Sequence, residues 1–318
     1  MEPRMTLRFV SSFSVTGSSS SRHHRAILLG GALLATGALA NCGSDSTTPI
    51  DPITKVPDFI YVSNASGAAQ LYTWHQGTTA PFPGTVAGDN EPQSAGGKVV
   101  FTSYRISAGN PEIFIANLDG SNSVRLTTQS GTDHEPSLSP DGGTVVFTST
   151  RSGASRIYTM GADGSNPTAL ATGSDPNTPE SGPRFSPGGA RILFSSPRTN
   201  TTQIWIMPSA GGAATQITHE VNGAFFGSWS PDGDFIYYVD GGDRTKIHKI
   251  EVSSGTVTDY VTDGTDVGDA SCNNVTCLVV SNVTGLNPDI YAYIGAGDTS
   301  PLAILITANA EYQPAILH

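Results

Sequence analysis

The chain has 318 residues, of which 37% are apolar, 8% aromatic and only 14% charged, with 36 Gly, 21 Pro and a net charge of −11. Charge this sparse excludes a coiled coil or a long solvated helix, and the apolar fraction excludes a fully disordered chain. A turn-rich folded protein remains, long enough to bury roughly three quarters of its unfolded surface as two ordinary domains or one large β domain.

Residues 1–41 read as an export signal. Arg22-His23-His24-Arg25 supplies a basic start, and Ala26 to Ala40 is an uncharged run, shorter than the roughly 20 residues a permanent membrane helix needs. The run ends at Leu39-Ala40-Asn41-Cys42-Gly43, which resembles the lipobox of bacterial lipoproteins. That resemblance implies cleavage before Cys42, lipid on Cys42 and a place in the cell envelope, at its periplasmic or extracellular face. The alternative is an ordinary secretory signal with Cys42 unmodified. Residues 42–57, polar and Pro-rich, suit a flexible tether. Removing residues 1–41, with four basic residues and one acid, leaves a net charge of −14. Such a surface repels nucleic acid and anionic head groups, so no nucleic-acid partner is expected and membrane contact is expected through the anchor only.

From Asp58 onward one unit is written six times. An apolar segment opening with an aliphatic residue starts at Leu71, Ile113, Ile157, Ile204, Ile247 and Ile290, at separations of 42, 44, 47, 43 and 43 residues. That period is typical of four-stranded propeller blades. A β-branched or aromatic run precedes each segment: Phe59 to Ser63, Val99 to Ser103, Val145 to Ser149, Ile192 to Ser196, Phe235 to Val239 and Leu278 to Ser281. A turn such as Asp119-Gly120-Ser121-Asn122 follows, and then a short strand ending in Thr, as at Leu126-Thr127, Ile217-Thr218, Val261-Thr262 and Ile306-Thr307.

The fourth element is Pro-marked. Glu135-Pro136-Ser137-Leu138-Ser139-Pro140-Asp141-Gly142 has relatives at Pro183 to Gly189 and Ser228 to Gly233, with weaker copies at Glu91 to Gly97 and Asp269 to Cys272. Pro presets φ and Gly closes the turn, so Ser-Pro-Asp-Gly predicts a strand reversal. In the last copy Cys272 and Cys277 stand where that turn would be, at a spacing that suits opposite sides of a tight hairpin. An oxidising compartment would let them form a structural disulfide. Glu311 to Leu317 opens another Pro-marked strand at the C-terminus, while residues 58–86 lack one. The expected fold class is therefore all-β: a six-bladed β-propeller over residues 58–318, with four-stranded blades and one blade closed by N- and C-terminal strands.

The repeat wording, Pro-x-Phe/Trp-Ser-Pro-Asp-Gly followed by an aliphatic strand and Ile-Tyr/Trp, resembles the TolB-type propellers over essentially everything after the tether. The resemblance implies architecture more than function, since such propellers serve as binding modules, as lids on peptidases and as a few enzymes.

The sequence has no Gly-x-Ser-x-Gly elbow, His-Glu-x-x-His pair or Gly-x-x-x-x-Gly-Lys loop. Acidic residues do recur just before or within the Pro-marked strands: Asp89, Glu91, Asp133, Glu135, Glu180, Asp266, Asp269 and Glu311, with His134 between two of them. In a propeller the loops entering the innermost strands share one end of the channel, so these residues are expected to form a negative ring that takes a cation or a Lys- or Arg-bearing peptide. The competing reading is of solvated loop acids that bond nearby backbone N–H groups. The recurring aromatics Tyr72, Phe114, Tyr158, Trp205 and Tyr291 are expected to fill the space between sheets.

The function these features predict is non-catalytic binding of a protein or peptide at the channel face, by a monomer without cofactor. The alternative is a metal-dependent, uronate polymer lyase-like enzyme with a divalent metal held by His134 and His219.

Overall fold

In the computed structural model, residues 56–262, 267–272, 276–281, 288–294, 302–305 and 310–317 are described. They form β-strands and turns, assembled into six four-stranded antiparallel sheets. The first blade holds β1 (Phe59–Ser63), β2 (Gln70–His75) and β3 (Thr78–Pro81). The second holds β4 (Asp89–Ala95), β5 (Lys98–Ser103), β6 (Glu112–Asn117) and β7 (Val124–Arg125). The third holds β8 (Asp133–Leu138), β9 (Thr144–Ser149), β10 (Arg156–Gly161) and β11 (Thr168–Ala169), and the fourth β12 (Ser181–Phe185), β13 (Arg191–Ser196), β14 (Gln203–Pro208) and β15 (Thr215–Gln216). The fifth comprises β16 (Ala224–Trp229), β17 (Phe235–Asp240), β18 (Lys246–Glu251) and β19 (Val257–Thr262). The sixth comprises β20 (Val267–Cys272), β21 (Thr276–Ser281), β22 (Asp289–Ile294) and β23 (Leu302–Leu305). Finally β24 (Glu311–Ile316) pairs with β1, Phe59 opposite Ile316 and Ser63 opposite Glu311. The two ends of the folded chain thus complete one blade.

Adjacent blades are joined by apolar clusters. Val100, Ile113 and Ile115 of the second blade meet Val145, Phe147 and Tyr158 of the third, and Val146 and Ile157 meet Ile192, Phe194 and Trp205 of the fourth. The first and sixth blades meet through Phe59, Tyr61 and Trp74 against Leu278, Ile290 and Ala292. Phe114, Tyr158, Trp205 and Tyr291 are buried in apolar clusters between blades and Tyr72 packs against another, as their recurrence in five of the six repeats implies.

The turns follow their wording. Ser139 and Thr144 close the Ser-Pro-Asp-Gly reversal through Ser139 N to Thr144 O at 2.8 Å, with Gly142 left-handed at φ 69°. The Asp141 carboxylate accepts from Ser139 Oγ at 2.6 Å and Gly143 N at 2.9 Å, which hold its pKa below the ordinary value.

One sequence expectation shifts. The fourth strands of the second and fourth blades end at Arg125 and Gln216, short of Thr127 and Thr218. These threonines are buried and turn their hydroxyls back on the third strand: Thr127 Oγ1 accepts Ile113 N at 2.9 Å and donates to Glu112 Oε2 at 2.6 Å. Thr218 does the same with Ile204 N and Gln203 Oε1. Threonine recurs there because one hydroxyl serves as both acceptor and donor inside the blade.

The backbone register sets Cys272 directly opposite Cys277 across the hairpin. Their side chains, together with Cys42, residues 1–55, Ile306, Thr307, Asp266, the Asp269 side chain and His318, lie outside the described residues.

Candidate channel-mouth site

The innermost strands are β24, β4, β8, β12, β16 and β20, each beside the next around the ring. Five of them share a local device. Glu91, Glu135, Gly182, Phe226 and Gln313 occupy equivalent positions, one before Pro92, Pro136, Pro183, Gly227 and Pro314, and each has a left-handed φ between 52° and 59°. At each of these positions the ladder to the second strand is interrupted by a bulge. The bulge separates two sets of acids that the sequence places only two residues apart.

The first set lies inside the blades. Asp89, Asp133 and Glu180 are fully buried and Glu311 is 2% exposed. Asp133 accepts from Ser149 Oγ at 2.5 Å and Arg151 Nη2 at 2.7 Å, and Asp89 is held in the same way by Ser103 and Arg105. Glu180 is held by Thr172, Ser174, Arg156 and Arg198, and Glu311 accepts from Ser63 Oγ at 3.0 Å. Three of these arginines lie over the aromatic pair of their own blade: Arg105 over Phe114 at 4.4 Å, Arg151 over Tyr158 at 4.9 Å and Arg198 over Trp205 at 4.5 Å. In the second, third and fourth blades an acid, a serine, an arginine and an aromatic thus form one buried stack, and none of the four buried acids lines the channel cavity.

The second set does. Glu91 and Glu135 line a central cavity of about 690 Å³, together with Gly182, Arg184, Phe226, Trp229 and Gln313. Their carboxylates also join the blades. Gln313 Oε1 accepts Glu91 N at 2.9 Å, Glu91 Oε2 accepts Glu135 N at 2.8 Å, and Glu135 Oε2 accepts Gly182 N at 2.7 Å. Thr102 Oγ1 donates to Glu91 at 2.6 Å and Thr148 Oγ1 to Glu135 at 2.8 Å. A chain of acceptors therefore runs from the first blade to the fourth. These bonds fall on Oε2 of both glutamates, and both residues line the channel.

Tyr104, in the loop after β5, is 37% exposed, and its hydroxyl pKa is raised by partial burial and then by the charges of Glu91 and Glu135. Ile106 of the same loop is 55% exposed, and Phe226 is 38% exposed within the channel wall. A ring as bulky as Phe226 in left-handed backbone stores local strain of a kind that collects at binding sites. Sequence reasoning missed Phe226; the signal was its departure from the acid, amide or Gly found at the equivalent position of other repeats.

Glu91, His134 and Glu135 can each offer a ligand atom within 4.8 Å of the others, a set able to take one divalent cation. His219 is not part of that set: it is exposed and its Nδ1 lies 3.1 Å from Gln216 Nε2.

A model of the TolB beta propeller domain matches residues 61–182. The Tol-Pal system protein TolB of Bordetella pertussis is 44% identical over 61 residues, 19% of this chain and 12% of that protein, so the match spans about an eighth of the relative's length. Among solved structures, TolB from Acinetobacter baumannii superposes with a TM-score of 0.65 at 19% identity, covering 81% of this chain and 66% of that one. A chain of a nidogen/laminin complex gives 0.63 at 11% identity, covering 81% and 97%. These two likenesses are of fold. Taken with the ring closure and the repeat wording, the matches make this chain a TolB-like six-bladed β-propeller.

Proposed function

We propose that the chain is an extracytoplasmic, lipid-anchored propeller that binds a peptide or protein partner at its channel mouth without catalysing a reaction. In this reading residues 1–41 direct export, Cys42 carries lipid, residues 42–57 are the tether and residues 58–318 the binding body. The observation that carries the proposal is the pair Glu91 and Glu135, half-buried beside Tyr104 and lining a 690 Å³ channel whose wall also carries the exposed Phe226. Low-dielectric walls focus the field of the two carboxylates, which favours a partner segment bearing Lys or Arg next to apolar side chains. That a matching relative is a Tol-Pal system protein supports a role in an envelope protein assembly.

Mild crosslinking in cells followed by affinity capture tests the reading. Wild type is expected to retain a specific partner that the Glu91→Gln/Glu135→Gln double variant loses. Capture unaffected by the double variant contradicts the channel-mouth assignment. A fatty-acid label that enters wild type but not Cys42→Ser tests the anchor.

A further inference from the structure

The acceptor chain around the channel stops at the fourth blade, and the place where it stops is built to receive an oxygen atom. In the second blade a carboxylate oxygen of Glu91 is held by two donors, the hydroxyl of Thr102 and the N–H of Glu135 in the next blade. In the third blade Glu135 is held by the hydroxyl of Thr148 and the N–H of Gly182. The equivalent donors in the fourth blade are the hydroxyl of Ser195 and the N–H of Phe226. Ser195 is the cross-strand partner of Ser181, as Thr102 is of Asn90 and Thr148 of His134. The residue placed to accept both is Gly182, which has no side chain. A Cβ built on Gly182 would meet nothing within 4 Å, and Gly182, Ser195, Phe225 and Phe226 all line the channel.

We infer that this position is the subsite for a backbone carbonyl oxygen of the bound peptide, which completes the acceptor chain by taking the hydrogen bonds of Ser195 and Phe226. The inference rests on the proposed peptide-binding role and deepens it by fixing the ligand's register. The carbonyl sits at Gly182, the neighbouring apolar side chain lies on the exposed Phe226 ring, and a cationic group reaches the carboxylates of Glu135 and Glu91, which line the same channel. Ser195 is half-buried and both donors face the channel, so a bound group that displaces water there must supply an acceptor, and the subsite rewards an amide carbonyl over an apolar group of equal size.

Gly182→Gln is the direct test, because the glutamine amide would occupy the subsite from within. Gln313 shows that this side chain suits the bulge, since it stands at the equivalent position with φ 52° and already accepts the next blade's N–H. The probe is acetyl-Lys-Phe-amide, followed through the Phe226 amide resonance of ¹⁵N-labelled protein, with acetyl-Glu-Phe-amide as control. Wild type is expected to show a saturable downfield shift of Phe226 N–H with the lysine peptide and at least tenfold weaker binding of the glutamate peptide. Gly182→Gln is expected to fold, as Gln313 does at the equivalent backbone, and to bind at least tenfold more weakly. Ser195→Ala, which leaves the fold's own ladder intact, is expected to lose about tenfold, the worth of one such bond. Undiminished peptide binding by folded Gly182→Gln or by Ser195→Ala overturns the inference, as does a saturated complex with an unmoved Phe226 amide. Crosslinked capture of a partner is read separately, so the carbonyl subsite can fail while the channel-mouth role stands.

Discussion

Changing Asp133 to Ala should unmake one blade's polar stack and leave the channel carboxylates in place. Asp133 is fully buried, with Arg151 Nη2 at 2.7 Å and Ser149 Oγ at 2.5 Å, and the Arg151 side chain is only 13% exposed. Removing the acid leaves a guanidinium over Phe147 and Tyr158 with no counter-charge and a buried serine hydroxyl with no acceptor. Breaking a buried pair from one side costs about 3–5 kcal/mol. For a domain of this size, each kcal/mol moves Tm by about 2–4 °C, so a fall of roughly 6–20 °C is expected. Thermal unfolding followed by tryptophan fluorescence measures it, with Asp234→Ala, an exposed turn acid, as the control. The double variant Asp133→Ala/Arg151→Ala should recover part of the loss, because no isolated charge remains. Equal midpoints for Asp133→Ala and the Asp234→Ala control would refute the structural reading of this acid and return it to the channel.

Thr127→Val keeps the volume but removes the acceptor for Ile113 N and the donor to Glu112, at about 1–3 kcal/mol for each group orphaned; chemical denaturation checks it. Asp141 has its folded-state pKa held below 3.8 by Ser139 and Gly143, so its contribution is present above the unfolded carboxylate value and is lost as pH falls through the lowered folded one. Ser139→Ala should move the Asp141 titration back up toward 3.8 in carbon-detected NMR, and an unchanged titration contradicts the hydrogen-bond cause. Cys272 and Cys277, opposite each other in register, are expected to be bonded in protein exported to an oxidising compartment; two titratable thiols without reductant would contradict this.

The blade count, the ring closure and the strand order were legible because each rests on a repeated pattern: an aliphatic-aromatic third strand, a Pro-marked first strand, and a C-terminal copy with no sequel. The division of the acids was not. Strand alternation puts Asp89 and Glu91, or Asp133 and Glu135, on one face, and only the left-handed bulge sends the first into the blade and the second into the channel. A cue did exist in Ser103-Tyr104-Arg105, Ser149-Thr150-Arg151 and Ser196-Pro197-Arg198, where a serine ends the second strand and an arginine follows two residues on, in the three blades whose first strands start at or just after Asp89, Asp133 and Glu180. Recurring cations beside recurring acids point to internal pairing rather than to a ligand. His134 lies in β8 and His219 in the loop after β15, and it is the glutamates of its own and the preceding blade that His134 meets, a grouping the sequence spacing does not show.

The central claim is that the partner engages the channel mouth between Glu91, Glu135 and Phe226. A photoreactive amino acid placed at Tyr104, which borders both glutamates, and in parallel at Val257, exposed on the fifth blade's outer strand, tests it by crosslinking in cells and mass spectrometry. Adducts to one protein from position 104 and none from position 257 are the predicted result. Adducts from position 257 with none from position 104 would place the partner on the propeller's rim and contradict the account.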